Sequence, residues 1–108
     1  MVQDIAKGLQ PPPLVIDLNP WSLQEVLADV ARVGGLLRQP AAGSAAAAAL
    51  QRRVDAAAAA GAAAAAAAGG RRPSVAFLEW VGPLYIGGHW TPQLIEMAGG
   101  QHPLNPPK

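Results

Sequence analysis

The sequence predicts a mixed α/β chain that is mostly helical. Three observations carry that expectation. A short apolar, partly β-branched run, LVIDL at Leu14 to Leu18, is followed by a turn and a capped amphipathic helix. An alanine-rich stretch extends from Ala41 to Ala68. A second apolar run, SVAFLEW at Ser74 to Trp80, lies beyond it between turn residues.

Pro11-Pro12-Pro13 ends whatever precedes it, because proline lacks an amide donor and restricts the residue before it. LVIDL then reads as a buried strand of the parallel-sheet kind, over residues 14–18, because its apolar residues do not alternate with polar ones. The NPWS that follows is a turn. Ser22 and Glu25 form an S-x-x-E capping box, a helix-start signal in which the two side chains satisfy free amides reciprocally. Beyond it, Leu23, Val26, Leu27, Val30, Val33 and Leu37 recur at three- and four-residue spacing, one apolar face of a helix over residues 22–38. Gly34-Gly35 weakens its last turns and Pro40 stops it. Strand, turn and helix together are half of a βαβ unit.

From Ala41 to Ala68 the chain is almost all helix formers, and Leu50 and Val54 are the large apolar pair within it. Alanine loses no side-chain entropy in a helix, so propensity alone favours one here. At about 1.5 Å per residue such a helix is roughly 42 Å long, more than a small domain is wide, and suits a bridge between two bodies. The expectation is a packing helix through about Val54, followed by a padded low-complexity extension over Ala56 to Ala68. Gly69-Gly70 closes it. Arg71-Arg72 falls where cations suit the helix dipole.

The second strand is expected over residues 75–79. Residues 80–90, with three glycines and a proline, read as loop. Thr91-Pro92 reads as an N-cap with proline at the first helical position, opening a short helix over 92–98 that Gly99-Gly100 terminates. The tail QHPLNPPK has no periodicity.

Totals bound the function. The 108 residues suffice for one small domain, and much of the 51% hydrophobic content is alanine, which buries little area. A net charge of +1 gives no footprint for nucleic acid, since Arg52-Arg53 and Arg71-Arg72 are isolated pairs. The absence of cysteine excludes disulfides and thiolate chemistry. MVQDIAKGLQPPP lacks the apolar segment of a secretory signal, so the compartment stays open. Arg52, Arg53 and Asp55 interrupt the alanine run, which argues against membrane insertion.

The chemistry concentrates in FLEWVGPLYIGGHW, Phe77 to Trp90, which holds all the aromatic residues except Trp21. Trp80, Tyr85 and Trp90 offer stiff, flat, largely apolar faces with polar tips, suited to a large planar ligand. Gly82, Gly87 and Gly88 allow close backbone approach or positive φ. His89 either ligates a metal centre or orders the turn through a backbone hydrogen bond. Glu79 either bonds ligand amides or accepts backbone amides of its own loop. His102, in the tail, has less claim. An enzyme needs a nucleophile with a base, or paired acids; Glu79 and His89 stand without a third group, so no enzyme is expected.

The segments PLVIDLNPWSLQEVLADVARVGGLL, LQRRV and RPSVAFLEWVGPLYIGGHWTPQLIEMAGG also carry a resemblance. Over residues 13–100, and most specifically in FLEW, P-L-x-x-G-G-H-W-x-P and AGG, the chain resembles the middle of a cobalamin-binding-type periplasmic substrate-binding protein. The wider family is the iron-siderophore and vitamin B12 class of ABC-transporter binding proteins. The resemblance implies two Rossmann-like α/β lobes joined by one long helix, with ligand held between them. Residues 1–40 would end the N-terminal lobe, 41–70 would be the interlobe helix, and 71–108 would start the C-terminal lobe. The two short strands would then lie in different lobes, and most of each lobe would lie outside this chain. The implied ligand is cobalamin, or a heme or siderophore chelate, not covalently bound, and the implied partners are ABC-transporter membrane subunits in a periplasmic or cell-surface setting. Glu79, Trp80, Tyr85, His89 and Trp90 would face the ligand. The alternatives are a truncated, non-binding remnant or an alanine-rich helical interaction protein.

Overall fold

A computed structural model of the chain describes residues 1–104. Helix dominates, at about 53%, alongside one small two-stranded sheet, consistent with a mixed α/β class. The order is α1 (Val2–Lys7), α2 (Leu23–Leu36), α3 (Pro40–Ala67), β1 (Leu78–Val81), β2 (Leu84–Ile86) and α4 (Thr91–Met97). Of the tail expected to lack periodic structure, residues 105–108 lie outside the described residues.

The start of α2 is fixed locally. The Glu25 amide donates to Ser22 Oγ at 3.2 Å, and Glu25 Oε2 accepts from the amides of Ser22 at 3.3 Å and Trp21 at 2.5 Å. Three first-turn or pre-turn donors thereby find acceptors. At the other end Arg38 adopts φ +59°. Its amide reaches Gly35 O at 3.0 Å and the Gln39 amide reaches Gly34 O at 2.8 Å, a Schellman closure that turns the chain directly into α3. Helices α2 and α3 form an αα-hairpin and make the main interface of the fold.

The alanine run is one continuous helix, and the boundary expected near Val54 does not exist. Its shielded positions are Gly43, Ala47, Leu50, Val54, Ala58, Gly61 and Ala65. The spacing alternates four, three, four and then repeats, an eleven-residue period that keeps one stripe on one side of the helix. The supposed padding therefore supplies three of the packed positions. The stripe is small because backbones meet along it. A Cβ on Gly43 would lie 2.8 Å from Gly34 Cα, and one on Gly61 would lie 2.6 Å from the carbonyl carbon of Ala98. Gly34 and Gly61, which look like helix weaknesses in the sequence, are where α2 and α4 touch α3.

Two strand expectations and one loop expectation are corrected. LVIDL is not a strand: residues 14–18 form no regular element and pair with no other segment among the described residues. Its recorded tie is Arg32 Nη1 donating to Asp17 O at 3.0 Å, and Leu14 remains 74% exposed. A strand needs a neighbour to satisfy its amides, and none lies beside it. The strand expected over 75–79 is displaced to Leu78–Val81. Part of the expected loop 80–90 becomes β2, so β1 and β2 pair with each other in one antiparallel hairpin. Apolar runs on both sides of Gly82-Pro83 permit this, the pair forming the tight turn. Residues 74 and 75 are held separately, through a parallel bridge from Ser74 to Gln101 and a 2.8 Å bond from the Val75 amide to Gln101 O. Thr91 is also not the N-cap of α4; Trp90 occupies that place, and Thr91 and Pro92 open the helix.

The core is thin. Among the described residues, the buried apolar side chains are Ala6 and Leu23. The chain exposes 7931 Å², against about 5,600 Å² for a compact protein of this mass. Its radius of gyration is 18.3 Å, against about 13 Å for a compact domain of similar length. Helix α3 sets this elongated form, with α2 packed along it and α4 touching it near Gly61.

Candidate functional site

The aromatic block divides into two surfaces. The first is the hairpin. Leu78 pairs with Ile86, Trp80 with Tyr85 and Val81 with Leu84, so Glu79 is the extra residue of a β-bulge between the first two pairs. Directly opposed residues share a face, which sets Trp80 beside Tyr85. Both are well exposed, at 62% and 59%. Trp80 Nε1 donates to Gly82 O at 2.9 Å, so its polar tip braces the turn while its ring stays open to solvent. The Glu79 side chain makes no hydrogen bond or ion pair among the described residues. The alternative in which its carboxylate holds the loop by accepting backbone amides is therefore not seen among the described residues.

The base of the hairpin is held by Phe77. Its carbonyl accepts the Gly87 amide at 2.8 Å, and a Cβ on Gly87 would lie 2.5 Å from Phe77 Cδ1. Gly87 thus makes room for a ring of this chain. Of the two roles expected of Gly82, Gly87 and Gly88, close approach is met at Gly87 and none of the three takes positive φ; that conformation falls on His89 at φ +54°.

The second surface forms around that corner. The turn at His89 swings its ring against Trp21, with centroids 4.6 Å apart and planes tilted by 45°. On its other side lies Trp90, at 5.8 Å and 46°. His89 therefore orders this corner through ring packing rather than through the backbone hydrogen bond expected of it. The start of α2 and the start of α4 are joined in the same region by Gln93 Oε1, which accepts the Leu23 amide at 2.8 Å. Sequence reasoning did not assign Trp21 to the site. Its signal was that it is the sole aromatic residue outside the block.

Behind Trp90 runs a groove of about 490 Å³, lined by Leu18, Pro20, Val26, Asp29, Val30, Val33 and Trp90. Asp29 is its one charged lining residue. A polar cleft adjoins it, lined by Asp17, Asn19, Glu25, Asp29 and Arg32. On the far side of α2, Leu23 and Leu27 face a third cleft of about 390 Å³ shared with Leu50, Val54 and Leu94. His102 is separate from all of these: its Nε2 lies 3.1 Å from Glu96 Oε1, its side chain is buried, and Nδ1 has no hydrogen-bond partner among the described residues.

Thus His89 and Trp90 come together with Trp21, Trp80 comes together with Tyr85, and Glu79 joins neither group through a bond. No cluster of three or more metal-ligating side chains occurs among the described residues. No helix among them is long and apolar enough to cross a membrane. Comparison with family models, with curated proteins and with solved structures finds no match.

Proposed function

We propose that this chain is the middle part of a two-lobe solute-binding protein that holds a large, flat metal chelate for ABC-type uptake. Cobalamin is the first candidate; heme shares its flat macrocycle, and ferric siderophores share only its character as a large metal chelate. The observation that carries the proposal is the Trp80–Tyr85 pair. Two stiff aromatic rings stand on one face of a hairpin, mostly uncovered, although burying either would add substantially to a thin core. Rings left open in this way suit stacking on an apolar planar ligand. In this proposal α3 is the interlobe strut, and its continuous, closely packed stripe supports a rigid role. His89 and Trp90 form the second edge of the ligand wall, and Glu79, free of internal bonds, is available to ligand amides.

The alternative of a helix that docks on a partner is less well supported. The apolar stripe of α3 is already used against α2 and α4, which leaves alanine, arginine and glutamine outward.

The test is titration with cyanocobalamin, hemin and a ferric hydroxamate, followed by visible absorbance and tryptophan fluorescence. A saturable response to one of them that weakens in Trp80→Ala and Tyr85→Ala supports the proposal. Flat titrations with all three overturn it.

A further inference from the structure

We propose a second binding site, independent of the hairpin: the groove behind Trp90 takes a small organic cation with an apolar body, such as an alkyl or aryl ammonium. The volume of about 490 Å³ lies within the range of small-molecule pockets, which run from roughly 300 to 1,000 Å³. Val26, Val30 and Val33 repeat along one face of α2 and make an apolar floor, with Leu18 and Pro20 beside them. Val26 also lines the cleft that α2 shares with Leu50 and Val54 of α3, whereas Val30 and Val33 are not part of that lining.

Charge selects the occupant. Asp29 is the charged residue of the lining, and its side chain is only 21% exposed. Arg32 engages Asp29 Oδ1 at 3.3 Å through the nitrogen that also donates to Asp17 O at 3.0 Å. That guanidinium is divided between two acceptors, and Oδ2 of Asp29 has no partner among the described residues. The adjoining cleft brings Asp17 and Glu25 beside Asp29, three carboxylates against the one guanidinium of Arg32. Asp17 has no ion-pair partner among the described residues. An anionic guest would meet uncompensated like charge. A cation would find a half-buried carboxylate and the ring of Trp90, whose face attracts positive charge.

The test uses the whole chain and three probes of similar size: benzyltrimethylammonium, benzyl alcohol and benzoate. Binding is followed by tryptophan fluorescence and by chemical shifts of the Val26, Val30 and Val33 methyl groups. The expected result is saturable binding of the cation at least about tenfold tighter than of the neutral probe, with benzoate weakest; tenfold corresponds to about 1.4 kcal/mol. Asp29→Asn should bring the cation to the level of benzyl alcohol. Val30→Phe should remove the methyl shifts for every probe, with helical circular dichroism checking that the fold survives. Trp80→Ala should leave cation binding unchanged, which separates this site from the Trp80–Tyr85 face of the hairpin; Trp90 is the residue that the groove and the proposed chelate wall share. Equal binding of all three probes, no saturable binding of the cation, or undiminished preference for the cation in Asp29→Asn would each overturn the proposal.

Discussion

Gly61 and Gly99 meet backbone to backbone: a Cβ on Gly99 would stand 2.6 Å from the carbonyl oxygen of Gly61. Gly99 carries φ +87° and closes α4, its amide reaching Glu96 O at 3.0 Å while the Gly100 amide reaches Ile95 O at 2.9 Å. The end of one helix is seated on the side of another where neither has a side chain. Helix propensity alone favours Gly61→Ala by about 1 kcal/mol. The structure predicts the opposite sign, because the added methyl meets backbone of α4 that cannot rotate away, and overpacking costs about 1–3 kcal/mol. Hydrogen exchange should show the α4 amides opening faster in this variant while those near Leu50 keep their protection. Unchanged protection of α4 would disprove the contact.

Gly35 supplies the contrasting case. It sits in the last turns of α2, and a Cβ there meets nothing within 4 Å. Gly35→Ala should therefore stabilise by about 0.5–1 kcal/mol through propensity alone. A urea titration followed by helical circular dichroism measures it. The neighbouring Gly34→Ala, whose methyl would run into Gly43, should lower the midpoint in the same experiment.

These glycines show where the sequence was readable and where it was not. The Ser22–Glu25 box could be read because a cap is a local device, decided within one turn. The reasons for Gly34, Gly43 and Gly61 lie across space, and a glycine chosen for close approach looks the same in sequence as one that weakens a helix. For that reason Ala58, Gly61 and Ala65 resembled padding. LVIDL carries the pattern of a strand covered on both sides, but pattern supplies no partner, and among the described residues nothing pairs with it. In the aromatic block, three glycines and a proline marked residues 80–90 as loop, and that density hid the short strands on either side of Gly82-Pro83. The block was legible as a concentration of rings, but its division was not. That division depends on His89 entering a left-handed conformation that its residue type does not announce.

Gln93 is expected to carry more stability than its half-exposed position suggests. Its Oε1 is the acceptor for the Leu23 amide, one of the free donors at the start of α2, and Leu23 is only 8% exposed. Gln93→Ala leaves that amide without its partner and should cost about 1–2 kcal/mol. Gln93→Glu keeps an acceptor at the positive end of both α2 and α4 and should recover most of the loss. Equal midpoints for all three proteins in urea would show that water replaces the side chain without penalty.

The hairpin offers a test that separates a binding surface from a structural one. Phe77, Trp80 and Tyr85 are all substantially exposed, yet Phe77 packs its ring on Gly87 while Trp80 and Tyr85 stand open. Trp80→Ala also removes the 2.9 Å bond to Gly82 O, an exposed interaction of about 0.5–1 kcal/mol at most. If the pair is a ligand wall, Tyr85→Ala should change stability by no more than about 0.5 kcal/mol, Trp80→Ala by slightly more, and Phe77→Ala by the most. The chelate response should follow the reverse order, strongest in its dependence on Trp80 and Tyr85. A chain that loses more stability from Trp80→Ala than from Phe77→Ala would mark these rings as part of the packing, and the exposed face of the hairpin would then have no claim as a site.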